Sequence, residues 1–173
     1  MFSVLATSRI GLVSSACSIV TSRRKTSSVS WENRAALKLA EDMKAHVLMS
    51  AVGFESFASS ILRNLNKGYT VDTNLSAIKL MRQLKEEFPD NWFYATSDGA
   101  SHGFIHPTPW DSTESVREMS SVILAYGLNR DILPRHSIPL IIHHASGLAD
   151  WVRELETREG LTLKRRASII EWW

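Results

Sequence analysis

Two histidines four residues apart, His102 and His106, are the first candidates for chemistry in this sequence, with Asp98 and Asp111 on either side. Imidazole and carboxylate groups bind metal ions and exchange protons near neutral pH. A metal site with this spacing is usually built on a helix that places both rings on one face, and the glycine and two prolines that follow disfavour a helix. A strand would also keep both rings on one side, which leaves a metal site as an alternative. We predict no metal and take both histidines as candidate catalytic acid–base residues. The alternative is that both rings hydrogen-bond the backbone in turns.

A second pair, His143 and His144, lies in an apolar segment, with Asp150 further along the chain. An imidazole beside a carboxylate is a common acid–base arrangement. His144 is the third candidate catalytic residue. The alternative is one core histidine and one exposed histidine.

Arg165 and Arg166 belong to a basic stretch near the end of the chain. Together with Ala167 and Ser168 they match the pattern that basophilic kinases phosphorylate. A solvated basic tail explains the same residues equally well.

The sequence lacks the motifs that bind common cofactors. It contains neither G-x-G-x-x-G nor a glycine-rich phosphate loop, and G-x-S-x-G is absent as well. The one cysteine, Cys17, lies near the beginning of the chain, so the remainder has no thiol for disulfides, zinc or nucleophilic catalysis. We predict no cofactor.

The elements that must position these residues are predicted to be mostly helices. From Ser30 onward, apolar side chains recur every three or four residues, which is the period of an α-helix. Short connections between successive segments favour antiparallel packing of helices. The predicted helices lie at 30–47, 54–65, 72–88, 111–127 and 137–160.

Residues 90–110 have a different pattern. Trp92-Phe93-Tyr94 is typical of a strand, residues 97–99 of a turn, and Gly103-Phe104-Ile105 of a short partner strand. This segment is a candidate functional loop or a boundary between two helical halves. We predict a mainly α, compact domain over 29–173, with about five helices and a short two-stranded or irregular element near 91–106.

The charge of the chain is unevenly distributed. Residues 1–28 carry four basic side chains, eight serines and no acidic residue, which leaves 16 basic and 18 acidic residues in the remainder. The pI near 8.8 is therefore a property of the N-terminal segment and does not indicate a nucleic-acid-binding surface.

The composition of residues 1–28 predicts a mitochondrial transit peptide and a location in the matrix. A secretory signal and an N-terminus without targeting function are the alternatives. No apolar stretch reaches the roughly 18 residues that span a bilayer, so we predict no membrane span.

Residues 120–168 contain four short motifs in a characteristic order. They are ILAYGL at 123–128, IPLI at 138–141, ASGLADW at 145–151 and KRR at 164–166. This stretch resembles the carboxy-terminal helices of citrate synthase. The resemblance implies an acyltransferase-like protein, partial or divergent, that handles a keto-acid or an acyl-CoA.

The resemblance also implies roles for individual residues. His144 lies where the family has an arginine that holds a substrate carboxylate, and Arg165 or Arg166 would bind a carboxylate or phosphate. His102 or His106 would be the acid–base residue.

A non-enzymatic function is the alternative to this prediction. The chain has six tryptophans, and aromatic side chains often anchor protein interfaces. In this interpretation the protein is a small mitochondrial helical subunit that docks on a larger complex or on another copy of itself. The anchors would be Trp92, Trp110, Trp172 and Trp173.

Overall fold

The computed structural model describes residues 3–7, 10–14, 26–132 and 137–172, with side-chain environments from Arg34 onward. Five α-helices and nine short strands make up this part of the chain. In chain order they are β1 Ser3–Thr7, β2 Ile10–Ser14, α1 Thr26–Asp42, β3 His46–Met49, β4 Gly53–Glu55, α2 Ser59–Asn64, α3 Val71–Glu87, β5 Trp92–Phe93, β6 Gly103–Phe104, α4 Thr113–Ala125, β7 Ile142–His143, α5 Gly147–Glu159, β8 Lys164–Arg166 and β9 Ile169–Glu171.

The prediction of a mainly α fold is wrong, because the helices are accompanied by three small sheets and the fold is mixed α/β. One sheet has the strand order β1-β2-β3-β5, the second pairs β4 with β6, and the third has the order β7-β9-β8. Among the described residues, no helix is both long and apolar enough to cross a membrane.

The strands of the first two sheets pair largely in parallel. β3 is parallel to both β2 and β5, and β4 is parallel to β6. The two strands predicted in 90–110 therefore exist, but they do not pair with each other. Each pairs with a strand that lies before α3 in the chain, and parallel pairing of this kind requires a crossover connection.

Helix α3 is close to its predicted range of 72–88, although it begins one residue earlier, at Val71. Thr70 is the N-cap, and its hydroxyl accepts a hydrogen bond from the backbone N–H of Thr73. The helix buries Ile78, Met81 and Leu84. Helix α4 begins in a similar way with Ser112 as its N-cap.

Three predicted helices are partly extended chain. Val47 and Phe54 lie in β3 and β4, and the helix predicted from residue 137 begins only at Gly147, where Ser146 caps it. Residues 138–142 include three isoleucines and a proline, which suit an extended chain better than a helix. Ile138 forms a parallel bridge with Ile105.

The buried apolar side chains form two clusters, with β6 between them. The first cluster includes Phe54, Phe57 and Phe104 together with side chains of α3 and α4. Ile105 packs against the second cluster, although it directly follows Phe104. The second cluster consists of Leu140, Ile142, Ala149, Val152 and Ile170.

The predicted transit peptide lies only partly within the described residues. β1 and β2 fall inside it and pair with each other as antiparallel strands, and β2 continues the sheet beside β3. Residues 15–25 lie outside the described residues. Cleavage of this segment and import into the matrix stay predictions.

Candidate functional site

The candidate site lies where β6 ends. Ile105 donates its backbone N–H to the carbonyl oxygen of Glu55 at 2.8 Å, and His106 donates its own to the carbonyl oxygen of Ile138 at 2.8 Å. The N–H of Ile138 donates to the carbonyl oxygen of Phe104 at 3.0 Å. His106 thus follows the middle one of three adjacent chain segments that run in parallel. Ligands of parallel sheets commonly bind at the carboxyl ends of the strands.

His106 and Asp111 form an acid–base pair at this position. The Nδ1 of His106 lies 3.0 Å from the Oδ2 of Asp111. Since an ionised carboxylate only accepts hydrogen bonds, Nδ1 is the donor, and Nε2 of the neutral ring carries the lone pair. The His106 side chain is 36% exposed, and among the described residues none hydrogen-bonds its Nε2. The ring is therefore oriented through Nδ1, and its side chain is partly exposed to solvent.

The Asp111 carboxylate is itself held in place. The Thr108 N–H donates to its Oδ2 at 2.6 Å, and the Ser115 hydroxyl donates to its Oδ1 at 3.3 Å. The carboxylate is only 15% exposed, and it lies directly before the first turn of α4, where a negative charge is favourable. These contacts fix the group that orients His106.

The chain between the two residues brings them together. The N–H of Asp111 donates to the Thr108 carbonyl at 3.2 Å, and the Thr108 N–H donates to the Asp111 carboxylate. The segment therefore turns back on itself over five residues, which places the carboxylate beside the ring. The proximity of Asp111 to His106 in sequence was a visible signal for this pair.

His102, in contrast, is buried, and both of its ring nitrogens are bonded within the protein. The Val52 N–H donates to Nδ1 at 3.1 Å, so Nε2 is the protonated nitrogen and donates to the Tyr94 carbonyl at 2.6 Å. Its ring meets that of Phe54 edge-on, with 5.5 Å between the centroids. Burial lowers the pKa of His102, which keeps the ring neutral. These contacts give His102 a role in holding the strands together.

The two histidines therefore do not converge on one site. His102 lies against Phe54 and Tyr94, whereas His106 lies against Asp111. Within the described residues, no three His, Cys, Asp or Glu side chains are arranged to hold a metal ion.

The acid–base pair of a histidine with Asp150, for which His143 has the better spacing, is not among the contacts of the described residues. The Asp150 carboxylate accepts a hydrogen bond from Arg153 at 2.6 Å, and a second nitrogen of Arg153 donates to the His144 carbonyl at 2.6 Å. The backbone N–H of His144 donates to the Ser168 carbonyl at 3.0 Å. His144 therefore joins the start of α5 to the turn between β8 and β9, and its neighbour His143 is exposed.

The two predicted ligand-binding arginines both form ion pairs. Arg165 makes a bidentate contact with Glu156 of α5, with 2.6 Å between Nη2 and Oε2, and Arg166 lies 3.0 Å from Glu171. Arg165, together with the N–H of Leu163, lowers the pKa of Glu156 to about 2. A ligand anion would have to displace a carboxylate in order to bind either arginine.

A buried polar cluster of Asp131, Arg82 and Tyr94 was not predicted from the sequence. The Asp131 carboxylate is 1% exposed and accepts two hydrogen bonds from Arg82, at 2.5 and 3.1 Å, and one from the Tyr94 hydroxyl at 2.7 Å. Burial and the nearby carboxylate raise the pKa of Tyr94. The three residues are distant in sequence, so no local pattern connects them. All three are satisfied by one another, which indicates a structural role.

The tryptophans considered as docking anchors are largely engaged inside the protein. The indole N–H of buried Trp92 donates to the Met81 carbonyl at 3.2 Å, and that of Trp172 donates to the Leu140 carbonyl at 2.7 Å. Trp110 packs against the second cluster, and Trp173 lies outside the described residues.

Comparisons of the chain with protein-family models, with curated proteins and with solved structures find no significant match. The resemblance to citrate synthase therefore stays a prediction.

Proposed function

We propose that the protein catalyses proton transfer on a small carbonyl substrate, with His106 as the acid–base residue and Asp111 as the residue that orients it. The observation that carries this proposal is the 3.0 Å contact between Nδ1 of His106 and the held carboxylate of Asp111, on a His106 side chain that is 36% exposed. The substrate class, a keto-acid or an acyl-CoA in the mitochondrial matrix, rests on the sequence resemblance and on the composition of the N-terminal segment.

The proposed step uses the two sides of the His106 ring differently. Asp111 keeps the proton on Nδ1, so the Nε2 lone pair takes a proton from the carbon next to the substrate carbonyl, and the electron pair of that C–H bond moves toward the carbonyl oxygen to form an enolate. The ring then carries a positive charge, and the adjacent carboxylate stabilises it. In the reverse direction the protonated Nε2 returns the proton.

The anionic part of such a substrate needs a positive partner. His144, Arg165 and Arg166 remain the proposed ligand-binding residues. Because Arg165 and Arg166 are paired with Glu156 and Glu171, a substrate carboxylate or phosphate would bind by exchange with one of these carboxylates.

Deuterium exchange tests the proposed step directly. The protein is incubated in D₂O with acetyl-CoA or oxaloacetate, and proton NMR follows the loss of signal at the carbon next to the carbonyl, relative to a protein-free sample. We expect His106→Asn and Asp111→Asn to slow the catalysed exchange by roughly 10²–10⁴-fold, the usual contribution of general acid–base catalysis. His143→Asn, which changes an exposed histidine, is the matched control and keeps the rate.

Two results would contradict the proposal. In one, the unmodified protein gives no exchange above the protein-free rate with either compound. In the other, exchange occurs but His106→Asn leaves it unchanged.

A second candidate function is docking on a larger complex or on another copy of the chain. It is favoured by large apolar side chains that remain exposed on two helices, Leu124 on α4 and Trp151 on α5. Size-exclusion chromatography with light scattering on protein purified from its source, compared with the Trp151→Ala variant, tests it. If the original protein and the Trp151→Ala variant both have the mass of a single chain, the result would count against docking.

A further inference from the structure

Ser168 lies at the tip of a hairpin in the third sheet. β8 and β9 are antiparallel, Arg166 is opposite Ile169, and only Ala167 and Ser168 connect them. Ser168 is exposed, and its hydroxyl has no hydrogen-bond partner among the described residues. Its backbone carbonyl accepts the N–H of His144, so the hydroxyl is presented on a backbone that is otherwise held.

The two residues of the tip are poorly suited to a tight turn. Ala167 has a φ of 48°, in the left-handed region that glycine and asparagine adopt at much lower cost. Two-residue hairpins with a positive φ at the first central position favour glycine there for this reason. The tip therefore opens more easily than a favourable turn would, and a kinase needs an opened, extended segment.

The residues before Ser168 have the charges that a basophilic kinase recognises. Arg165 and Arg166 lie three and two positions before the hydroxyl. The Arg166 side chain is 69% exposed. Kinases of this class bind such arginines with acidic side chains of their own, so charge complementarity favours this partner.

We propose that Ser168 is phosphorylated by a basophilic serine/threonine kinase. In this reaction the Ser168 Oγ attacks the γ-phosphorus of Mg²⁺-ATP, and the new Oγ–P bond replaces the bond from that phosphorus to the β–γ bridging oxygen. The hydroxyl proton passes to the catalytic base of the kinase, and ADP leaves. The modification does not depend on the proposed acid–base function.

The ion pair between Arg165 and Glu156 controls access to this site. Arg165 is held by Glu156 of α5 and donates also to the Leu163 carbonyl, so the kinase has to take it from an existing carboxylate. Loss of the Glu156 charge frees Arg165 and loosens the hairpin from the helix. Glu156→Gln is therefore expected to raise the rate of phosphorylation several-fold.

The experiment uses the full chain, Mg²⁺-ATP and the catalytic subunit of cAMP-dependent protein kinase, with site-resolved mass spectrometry. We expect phosphate on Ser168, a loss of at least tenfold in Arg166→Ala, and a several-fold gain in Glu156→Gln. Glu159→Gln is the matched control, because Glu159 of the same helix pairs with Arg158 instead, and it keeps the original rate. Thr26 follows Arg23-Arg24-Lys25 with the same spacing, so its phosphorylation is scored separately.

A synthetic peptide of residues 162–171 shows that the kinase accepts the sequence itself. Phosphorylation of the peptide, together with an unmodified Ser168 in both the original chain and Glu156→Gln, would overturn the proposal. Equal modification of Ser168 in the original chain and in Arg166→Ala would overturn recognition through the arginines. An equal rate in Glu156→Gln and Glu159→Gln would overturn control by the ion pair.

Discussion

The buried carboxylate of Asp131 allows a quantitative test of the structure. Asp131→Asn keeps the shape of the side chain but removes the charge that two hydrogen bonds from Arg82 and one from Tyr94 compensate. Removal of one partner from a buried ion pair typically costs about 3–5 kcal/mol. Arg82 is 23% exposed and keeps some contact with water, so we expect a value near the lower end of that range.

Tyr94→Phe is the smaller perturbation of the same cluster. It removes a hydrogen bond of 2.7 Å to a charged acceptor, an interaction worth about 1.5–3 kcal/mol. The Asp131 oxygen that loses this bond still accepts one from Arg82 at 3.1 Å, so we expect a loss of about 1.5 kcal/mol, at the lower end of the range for such bonds. The double variant should lose less than the sum of the two single losses, because both act on one carboxylate.

Urea unfolding followed by tryptophan fluorescence measures these free energies. Tyr126→Phe is the matched control, since Tyr126 is an exposed tyrosine and its change is expected to stay within about 0.5 kcal/mol. The reasoning is refuted if Asp131→Asn unfolds at the same urea concentration as the original protein, or if the losses from the two single variants simply add.

Two further predictions concern the pH dependence of stability. The pKa of Glu156 is about 2, below its ordinary 4.5, so its ion pair with Arg165 stabilises the protein above pH 4.5 and this contribution disappears as the pH falls toward 2. The difference in urea midpoint between the original protein and Glu156→Gln should therefore shrink over that interval, and a constant difference would contradict the assignment. Burial lowers the pKa of His102 below its ordinary 6.5, so the unfolded chain binds a proton more readily than the folded one, and the free energy of unfolding falls as the pH drops below 6.5. One such proton gives the free energy of unfolding a slope of up to about 1.4 kcal/mol per pH unit. Urea unfolding at a series of pH values should show that His102→Gln lacks this slope and that His143→Asn keeps it.

The sequence indicates the buried residues better than the elements that carry them. Phe54, Phe57, Ile61 and Leu62 lie in the helix predicted over 54–65, and all four are buried. Phe54 nevertheless lies in a strand, since a strand followed by a turn and a short helix produces the same apolar spacing. Parallel pairing depends on partners such as Gly53 and Gly103, which are fifty residues apart, and local periodicity contains no information about it.

For the candidate site, too, the sequence indicates individual residues but not the contacts that depend on the tertiary structure. Residue type and closeness in sequence pointed to His106 and Asp111, and the turn at residues 107–111 brings their side chains together. Their separation from His102 depends on which nitrogens find backbone partners, and that follows only from the tertiary structure. The contact of Arg165 with Glu156 was equally invisible, because it requires the chain to reverse at Gly160 after α5.

The position of β6 between the two apolar clusters links ligand binding to the folding of both. Phe104 is anchored in one cluster and Ile105 in the other, so the backbone that carries His106 is fixed only when both have formed. A small molecule that binds beside His106 therefore selects the fully folded chain and stabilises both clusters together, by about 2.7 kcal/mol at a concentration one hundred times its dissociation constant. Thermal-shift screening can consequently discover a ligand of this site before any reaction is known, and His106→Asn distinguishes true ligands from compounds that bind elsewhere.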